Sequence, residues 1–506
     1  MARVCGPVLG FRGEVDGCWR IVVLTVYDGD GQPGDLTHSA GGTGSAISPI
    51  ALAEAAGMRF FAHAIEAPVG DLDTRIDYGF AGEDHRWSFT VPGRTQPPRI
   101  AYGSCNGFSD VADMKRIADK NAMWSQLVAT HDRLPFHLLL LGGDQIYADQ
   151  IWDVVEELRG FDDLPRQQRA VQTPSPGLHD AVLRFYARTY CQRFAQSEVA
   201  AALASIPSVM MWDDHETFDG WGSYSDEEQG SPVFRTVFAA ARACFALFQL
   251  QSDPASPSWP ALPGAGGFDA LLRIRDIGLL VLDLRSERSQ RQVISPETWN
   301  IIFDAIDGSR GLRHLLVMSS IPLVHPDMSF LEEALGYVPG MQENEDDLHD
   351  QWSSYLHRLE RLRLAHRLLD FAAAAGTRVT ILSGDVHVAA LGTLESTRRV
   401  IGWQHCNVIT QLTSSGIVHP PPPRLMRYFL ERISDTVQEV DRDISARMLQ
   451  FPGTNFRFVA SRNWLSLEFD DRGRIWANWH VEGRPDPLTK VIHPCEPEPG
   501  PPPLSR

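Results

Sequence analysis

Val379-Thr-Ile-Leu-Ser-Gly-Asp-Val-His387 decides how the rest of this chain is read. Its apolar, β-branched run predicts a buried strand, and Gly384 predicts a sharp turn at the carboxyl end. The turn sets a carboxylate, Asp385, beside an imidazole, His387. Three other stretches follow the same grammar. His137-Leu-Leu-Leu-Leu-Gly-Gly-Asp-Gln-Ile-Tyr147 carries Asp144 and Tyr147, and Ile206-Pro-Ser-Val-Met-Met-Trp212 runs into Asp213-Asp-His-Glu216. Arg99-Ile-Ala-Tyr-Gly-Ser104 delivers Cys105 and Asn106. Loops at the carboxyl ends of strands are where α/β sheets place their chemistry. Four apolar strands that each end in O, N or S donors predict a metal-assisted hydrolase.

Outward from these runs, strands alternate with helices after Pro98. Apolar residues at helical spacing predict a crossover helix over 113–127, between the Cys105 and Asp144 strands. A longer helix is predicted from about Gln351 to Ala375. Trp352, Tyr355, Leu356, Leu359, Leu362, Leu368 and Leu369 form its buried stripe, and Gly376 marks its end. Asn463–Phe469 and Ile475–Val481, flanking Asp470-Asp-Arg-Gly473, read as a closing hairpin. Residues 1–97 are instead strand-like runs separated by Gly-rich turns, which predict a small all-β sandwich of the immunoglobulin or fibronectin kind. The expected organisation is this sandwich, a catalytic domain over 98–485, and a Pro-rich, extended or disordered tail over 486–506. No internal repeat is visible.

A length of 506 residues fits two to three domains. The 43% hydrophobic and 22% charged content is ordinary for a globular chain. A net charge of −18 with no long Lys or Arg runs excludes a nucleic-acid surface or an anionic-membrane partner. It also means that an anionic substrate needs a local cation, a second reason to expect metal. The seven cysteines (5, 18, 105, 191, 244, 406 and 495) form no CxxC pair, so reduced thiols are expected. There is no secretory signal pattern and no run of about 20 apolar residues, so the expected location is the cytoplasm, with no membrane span.

Two metal ions about 3.5–4 Å apart activate water, clamp a phosphoryl group and stabilise a leaving oxygen. A carboxylate bridges such a pair best. Asp144 is the candidate, because the Gly142-Gly143 turn stands it at a strand tip. Tyr147 reaches the same ion, and a phenolate favours ferric iron. The competing readings are that Asp144 caps a helix and Tyr147 packs in the core. Arg285, after the strand-like Ile277–Leu282, either grips a phosphate oxygen or pairs with a neighbouring acid. His325, several residues past a strand end, is set aside as a ligand. Gly264-Ala-Gly-Gly267 is read as a loop, not a phosphate cradle.

Ser104-Cys105, Gly143-Asp-Gln-Ile-Tyr147, Trp212-Asp-Asp-His-Glu216 and Ser383-Gly-Asp-Val-His387, in this order, resemble the signature blocks of PhoD-like alkaline phosphatases. That family is a branch of the calcineurin-like metallophosphoesterases, akin to purple acid phosphatases. Leu282-Asp-Leu-Arg285 and Asp350-Gln-Trp352 are similar to its linking segments, and the resemblance covers about Pro98 to Val481. It implies a two-sheet α/β/β/α sandwich preceded by the small all-β domain. It also implies iron held by Cys105, Asp144, Tyr147 and His387, with calcium or another divalent ion held by Asp144, Asp214 and Asp385. Carboxylates at Asp214 and Asp385, where relatives carry amide and imidazole, harden the second site toward calcium. Cys105 stands where related phosphatases carry aspartate; the other reading is a buried structural cysteine. His215 would face the phosphate as the catalytic proton donor, oriented by Glu216 or Asp213. The implied reaction is hydrolysis of a small phosphate monoester or diester by metal-activated water attacking phosphorus in line. The alternatives are a phosphodiesterase or phospholipase D-like enzyme, and a non-catalytic metal-binding regulatory relative. The twin-arginine export signal usual in the family is not seen.

Overall fold

All four quoted runs are strands, and their carboxyl ends converge. The computed structural model describes residues 3–40, 44–161, 163–253, 257–326, 352 and 357–498. In chain order the strands are β1 (Arg3–Val15), β2 (Cys18–Asp28), β3 (Leu36–Ser39), β4 (Ser45–Ile47), β5 (Ile50–Ala55), β6 (Met58–Pro68), β7 (Thr74–Phe80) and β8 (Trp87–Val91). There follow β9 (Arg99–Gly103), β10 (Leu138–Gly142), β11 (Ser208–Met211), β12 (Ala270–Ile274), β13 (Ile277–Val281), β14 (His314–Ser319), β15 (Arg378–Ser383) and β16 (Ala389–Ser396). The last are β17 (Trp403–Gln404), β18 (Val408–Thr413), β19 (Gln438–Asp441), β20 (Ile444–Leu449), β21 (Phe458–Val459), β22 (Asn463–Phe469), β23 (Ile475–Val481), β24 (Leu488–Ile492) and β25 (Glu496–Pro497).

One sheet runs β24-β23-β22-β9-β10-β11-β1-β2-β6-β5 and the other β12-β13-β14-β15-β18-β16-β20-β19. Period-two alternation explains why they stack. Leu138 and Leu140 of β10 point into a core shared with Leu316 of β14, Leu382 of β15 and Leu412 of β18. Leu139 and Leu141 point the other way, onto the helices Ala122–Arg133, Leu178–Phe194 and Pro232–Phe248. The second sheet mirrors this, with Val317, Val379 and Ile381 packed on the helices Pro296–Gly308 and Arg358–Ala375. These are the expected helix, sheet, sheet and helix layers.

β9, β10 and β11 are parallel neighbours, with Leu141 opposite Gly103 and Gly142 opposite Met211, so three of the chemistry-bearing ends lie side by side. The fourth, after β15, comes across from the other sheet. A Cβ at Gly384 would lie 2.4 Å from Ser104 Oγ and 3.0 Å from the Gly142 carbonyl oxygen, so only glycine admits this approach.

Among the described residues up to Val91 every regular element is a strand, with β3, β4, β7 and β8 forming a small second sheet. The larger sheet of this region is continuous with the core, because β1 pairs in parallel with β11. Asp73 adds an electrostatic tie. Its carboxylate accepts from Arg99 (2.8 Å), His137 (3.1 Å) and the Gly93 amide (3.0 Å), at the starts of β9 and β10. Partial burial raises its pKa, but the His137 and Arg99 hydrogen bonds outweigh burial and hold it well below the usual carboxylate range. A depressed carboxylate contributes stability above its unfolded pKa, about 3.9, and loses it as pH falls through the folded value. Asp73→Ala should therefore cost about 1–3 kcal/mol at neutral pH and lower the melting temperature, a deficit that shrinks on acidification.

Several expectations are corrected. The crossover helix is two helices, Val111–Arg116 and Ala122–Arg133, broken where Ile117 turns extended and Asn121 starts the next helix. The long helix begins at Arg358, after the aromatic stretch; Leu359 lies exposed at 78%, and Arg361, Leu364 and Ala365 share the buried stripe instead. Trp352 is buried, while Asp350, Gln351, Tyr355 and Leu356 lie outside the described residues. Cys406 and Cys495 form a disulfide across a sequence separation of 89, and β25 pairs with β17. The tail up to Glu498 is thus tied to the body, and two of the seven thiols are not reduced. No short-range pattern marks a pairing that the fold alone brings together. The other five cysteines are free. The β22–β23 hairpin stands as predicted. No described helix is long and apolar enough to cross a membrane.

Candidate metal centre

The four strand ends build one cluster of donors. Cys105, Asp144 and His387 bring one ligand atom each within 4.8 Å of one another, and Asp144, Asp214 and His215 do the same. Asp144 belongs to both sets, as a bridging carboxylate must. Tyr147 Oη lies 3.3 Å from His387 Nε2, and Cys105 Sγ lies 3.4 Å from Asp144 Oδ2. Asp385 joins neither set of three; its backbone carbonyl faces the Cys105 thiol at 3.9 Å.

The backbone here is strained in a telling pattern. Cys105, Asp144, Asp385 and His387 all adopt the left-handed region, with φ of 55°, 55°, 66° and 52°. Each such residue costs of order 1–3 kcal/mol and persists only where surrounding structure holds it. Glu216 supplies part of that hold. Its buried carboxylate accepts the amides of Asp213 (2.7 Å), Asp144 (3.0 Å) and Gln145 (2.5 Å) and the Gln249 side chain (2.8 Å). It stitches the β10 and β11 loops together and does not orient His215. Ser415 Oγ lies 3.0 Å from Cys105 Sγ and accepts the His387 amide at 2.9 Å, joining the two sheets' loops.

The electrostatics favour bound cations. Asp144 is buried and its Oδ1 has no hydrogen-bond partner. Burial, followed by the charges of Cys105, Asp213 and Asp214, pushes its carboxyl well above the ordinary range. Burial likewise raises the Cys105 thiol to about 11 and the Tyr147 phenol well above its usual value. His387 is driven well below the usual histidine range by burial and by His419 and His215, so its imidazole is neutral, the form that binds metal. A buried carboxylate, thiol, phenol and neutral imidazole with an orphaned oxygen between them fit metal ions by donor chemistry.

His215 sits beside this cluster. Burial opposes its charge, but Asp149 and Asp214 outweigh it and raise the pKa well above 6.5. Its Nδ1 contacts both carboxylate oxygens of Asp149, at 2.9 and 3.0 Å, so Asp149, and neither Glu216 nor Asp213, orients the ring. Arg285 resolves toward the salt bridge. It is fully buried, bonded to Asp213, to Asp214 at 3.3 Å and to the Trp221 carbonyl at 2.8 Å, leaving it no access to a phosphate. Its place is behind Asp214, whose other oxygen accepts the Gly220 amide at 2.8 Å. His325 is buried against the Pro326 carbonyl, apart from the cluster.

Three residues escaped the sequence reading. Asp149 lies five residues past Asp144 in the same loop, and no local pattern pairs it with His215. Ser415 and His419 follow β18, a buried strand whose Thr410, Gln411 and Thr413 break the apolar run that marks the other four, before the end Thr413-Ser-Ser-Gly-Ile-Val-His419. The His419 ring stacks on His387 at 3.6 Å and on Tyr147 at 5.3 Å, and Tyr147 meets His215 at 4.2 Å. Four rings thus stand in a row along the donor cluster.

The family model for PhoD related phosphatases matches residues 80–256 and 337–437, more than half of the chain. The uncharacterized protein YGR266W of Saccharomyces cerevisiae is 27% identical over 496 residues, covering 81% of this chain and 70% of that protein. Among solved structures, that of PhoD superposes with a TM-score of 0.60 at 13% identity, covering 99% of this chain and 93% of the other. That likeness speaks for the fold.

Proposed function

The chain belongs to the PhoD-related phosphatase family, and from that membership we propose that it is a metal-dependent hydrolase of phosphate esters. The observation that carries the reading is Asp144, a buried carboxylate shared by two donor sets with one oxygen unpartnered. In this reading Cys105, Asp144, Tyr147 and His387 would hold iron, and Asp144, Asp214 and Asp385 would hold calcium or another divalent ion, although Asp385 joins neither set of three donors. Bound there, the ions would supply an acidified water and neutralise phosphoryl charge.

The chain's own residues do the rest. Asp144 holds the two sites in register, and Arg285 fixes the direction of Asp214. His215, charged and aligned by Asp149, donates a proton to the leaving oxygen through Nε2. Asp149→Asn should therefore lower kcat by about ten- to a hundredfold with metal content unchanged, because the ring is misaligned while the donors stay. Metal analysis alongside the rate checks this.

The test of the function is direct. Protein purified without chelator is analysed for metals and assayed with p-nitrophenyl phosphate and bis-p-nitrophenyl phosphate, with and without added calcium. Iron plus calcium-stimulated turnover supports the reading and ranks monoester against diester. Absence of iron and of any divalent ion overturns it, and bound metal without turnover of either ester points to a binding relative that has lost catalysis.

A further inference from the structure

A cleft of about 670 Å³ opens beside the cluster, and Asn106 and Tyr147 line it from the two donor-bearing loops. Its far wall is one face of the helix Leu178–Phe194, where Ala181, Arg184, Phe185, Arg188 and Thr189 follow the spacing of a single helical stripe. Arg184 and Arg188 are exposed and, like Lys120 at the cleft's edge, have no ion pair among the described residues. Arg193, the next cation along, is bonded to Asn106, the residue after Cys105. Glu156 and Glu157 also line the cleft, so the four cations Lys120, Arg184, Arg188 and Arg193 outnumber the acids. Phe108, Met114 and Val154 supply apolar surface between them.

This is unusual ground in a chain of net charge −18. Unpaired arginines one turn apart repel each other, and an anion placed between them relieves that cost. We infer that the cleft is a leaving-group subsite, selecting phosphate esters whose leaving group carries a second anionic group beyond an apolar spacer. The inference rests on the phosphoester-hydrolase reading. The reacting phosphoryl group sits on the Asp144 cluster, the spacer lies along Phe108 and Met114, and the second anion reaches Arg184 and Arg188. The subsite changes no bond; it raises the effective concentration of the right ester and aligns its leaving oxygen with the cluster.

The test compares butane-, hexane- and octanediol bisphosphates with the matching alkyl monophosphates, on metal-loaded full-length protein. At least one bisphosphate should show kcat/KM about tenfold or more above its monophosphate, through KM, with the preference falling as salt rises. Arg184→Ala with Arg188→Ala, both exposed and helix-compatible, should abolish most of that preference and leave monophosphate turnover unchanged. Equal kcat/KM for both series overturns the inference, as does a preference that survives the double variant or a parallel loss on the monophosphates. If no ester is turned over, the functional reading has failed and the subsite is judged by calorimetry alone. Hexane bisphosphonate binding more tightly than hexylphosphonate, with the gain lost in the double variant, then sustains it; equal binding overturns it.

Discussion

Asp144→Asn should strip metal and activity together. The residue is shared by both donor sets, so neutralising it removes charge from each at once. The amide keeps the shape of the carboxylate, and the Asp144 backbone amide still donates to Glu216, so the loop remains held. Burial of an uncompensated carboxylate also costs the metal-free protein stability, given how far Asp144 is pushed up. The variant without metal should therefore melt no lower than the native protein without metal. Metal analysis, ester turnover and thermal melts of both proteins, with and without metal, separate loss of the site from loss of the fold. An Asp144→Asn protein that keeps both metals and full turnover would remove the bridging role.

His215→Ala should keep its metal and lose roughly two to four orders of magnitude in rate, the usual weight of a positioned proton donor. The loss should be smaller for p-nitrophenyl esters, whose leaving group needs little protonation, than for alkyl phosphates. That contrast separates a proton donor from a residue that merely packs. His215 also stands in the second donor set with Asp144 and Asp214, so a competing role exists on the same geometry. If His215→Ala loses the second metal while Asp144→Asn retains both, the ring is a ligand and the assignment of the two loops is reversed.

The strands and their order of chemistry were legible because burial on both faces writes a continuous apolar run. Leu138–Leu141 and Val379–Leu382 cannot be read as anything solvated, and a glycine closes each. The donors after them were legible because carboxylate, imidazole, phenol and thiol side chains at four such ends are hard to reconcile with packing alone. Less was visible where the determinant lies in another segment. The salt bridge of Arg285 depends on where β11 ends, and the alignment of His215 depends on Asp149, sixty-six residues away. The helix break at Ile117–Asn121 was hidden because apolar spacing runs on past a change of backbone conformation.

By itself the sequence determined the alternation of strands and helices, the four donor-bearing strand ends and the kind of donor each brings, since these follow from local periodicity and turn chemistry; the two-sheet layering came from the resemblance of its motif blocks to a known family. Only the tertiary structure decided which donors lie together, since Asp144 sits in two sets through contacts made by loops from both sheets. It likewise decided that Arg285 is an internal counter-ion, that Cys406 meets Cys495, and that the amino-terminal strands continue the core sheet. The physical reason is the same in each case. Coulombic partners, disulfides and strand pairs act through space over a few ångströms, and distance along the chain carries no record of them until the fold closes it.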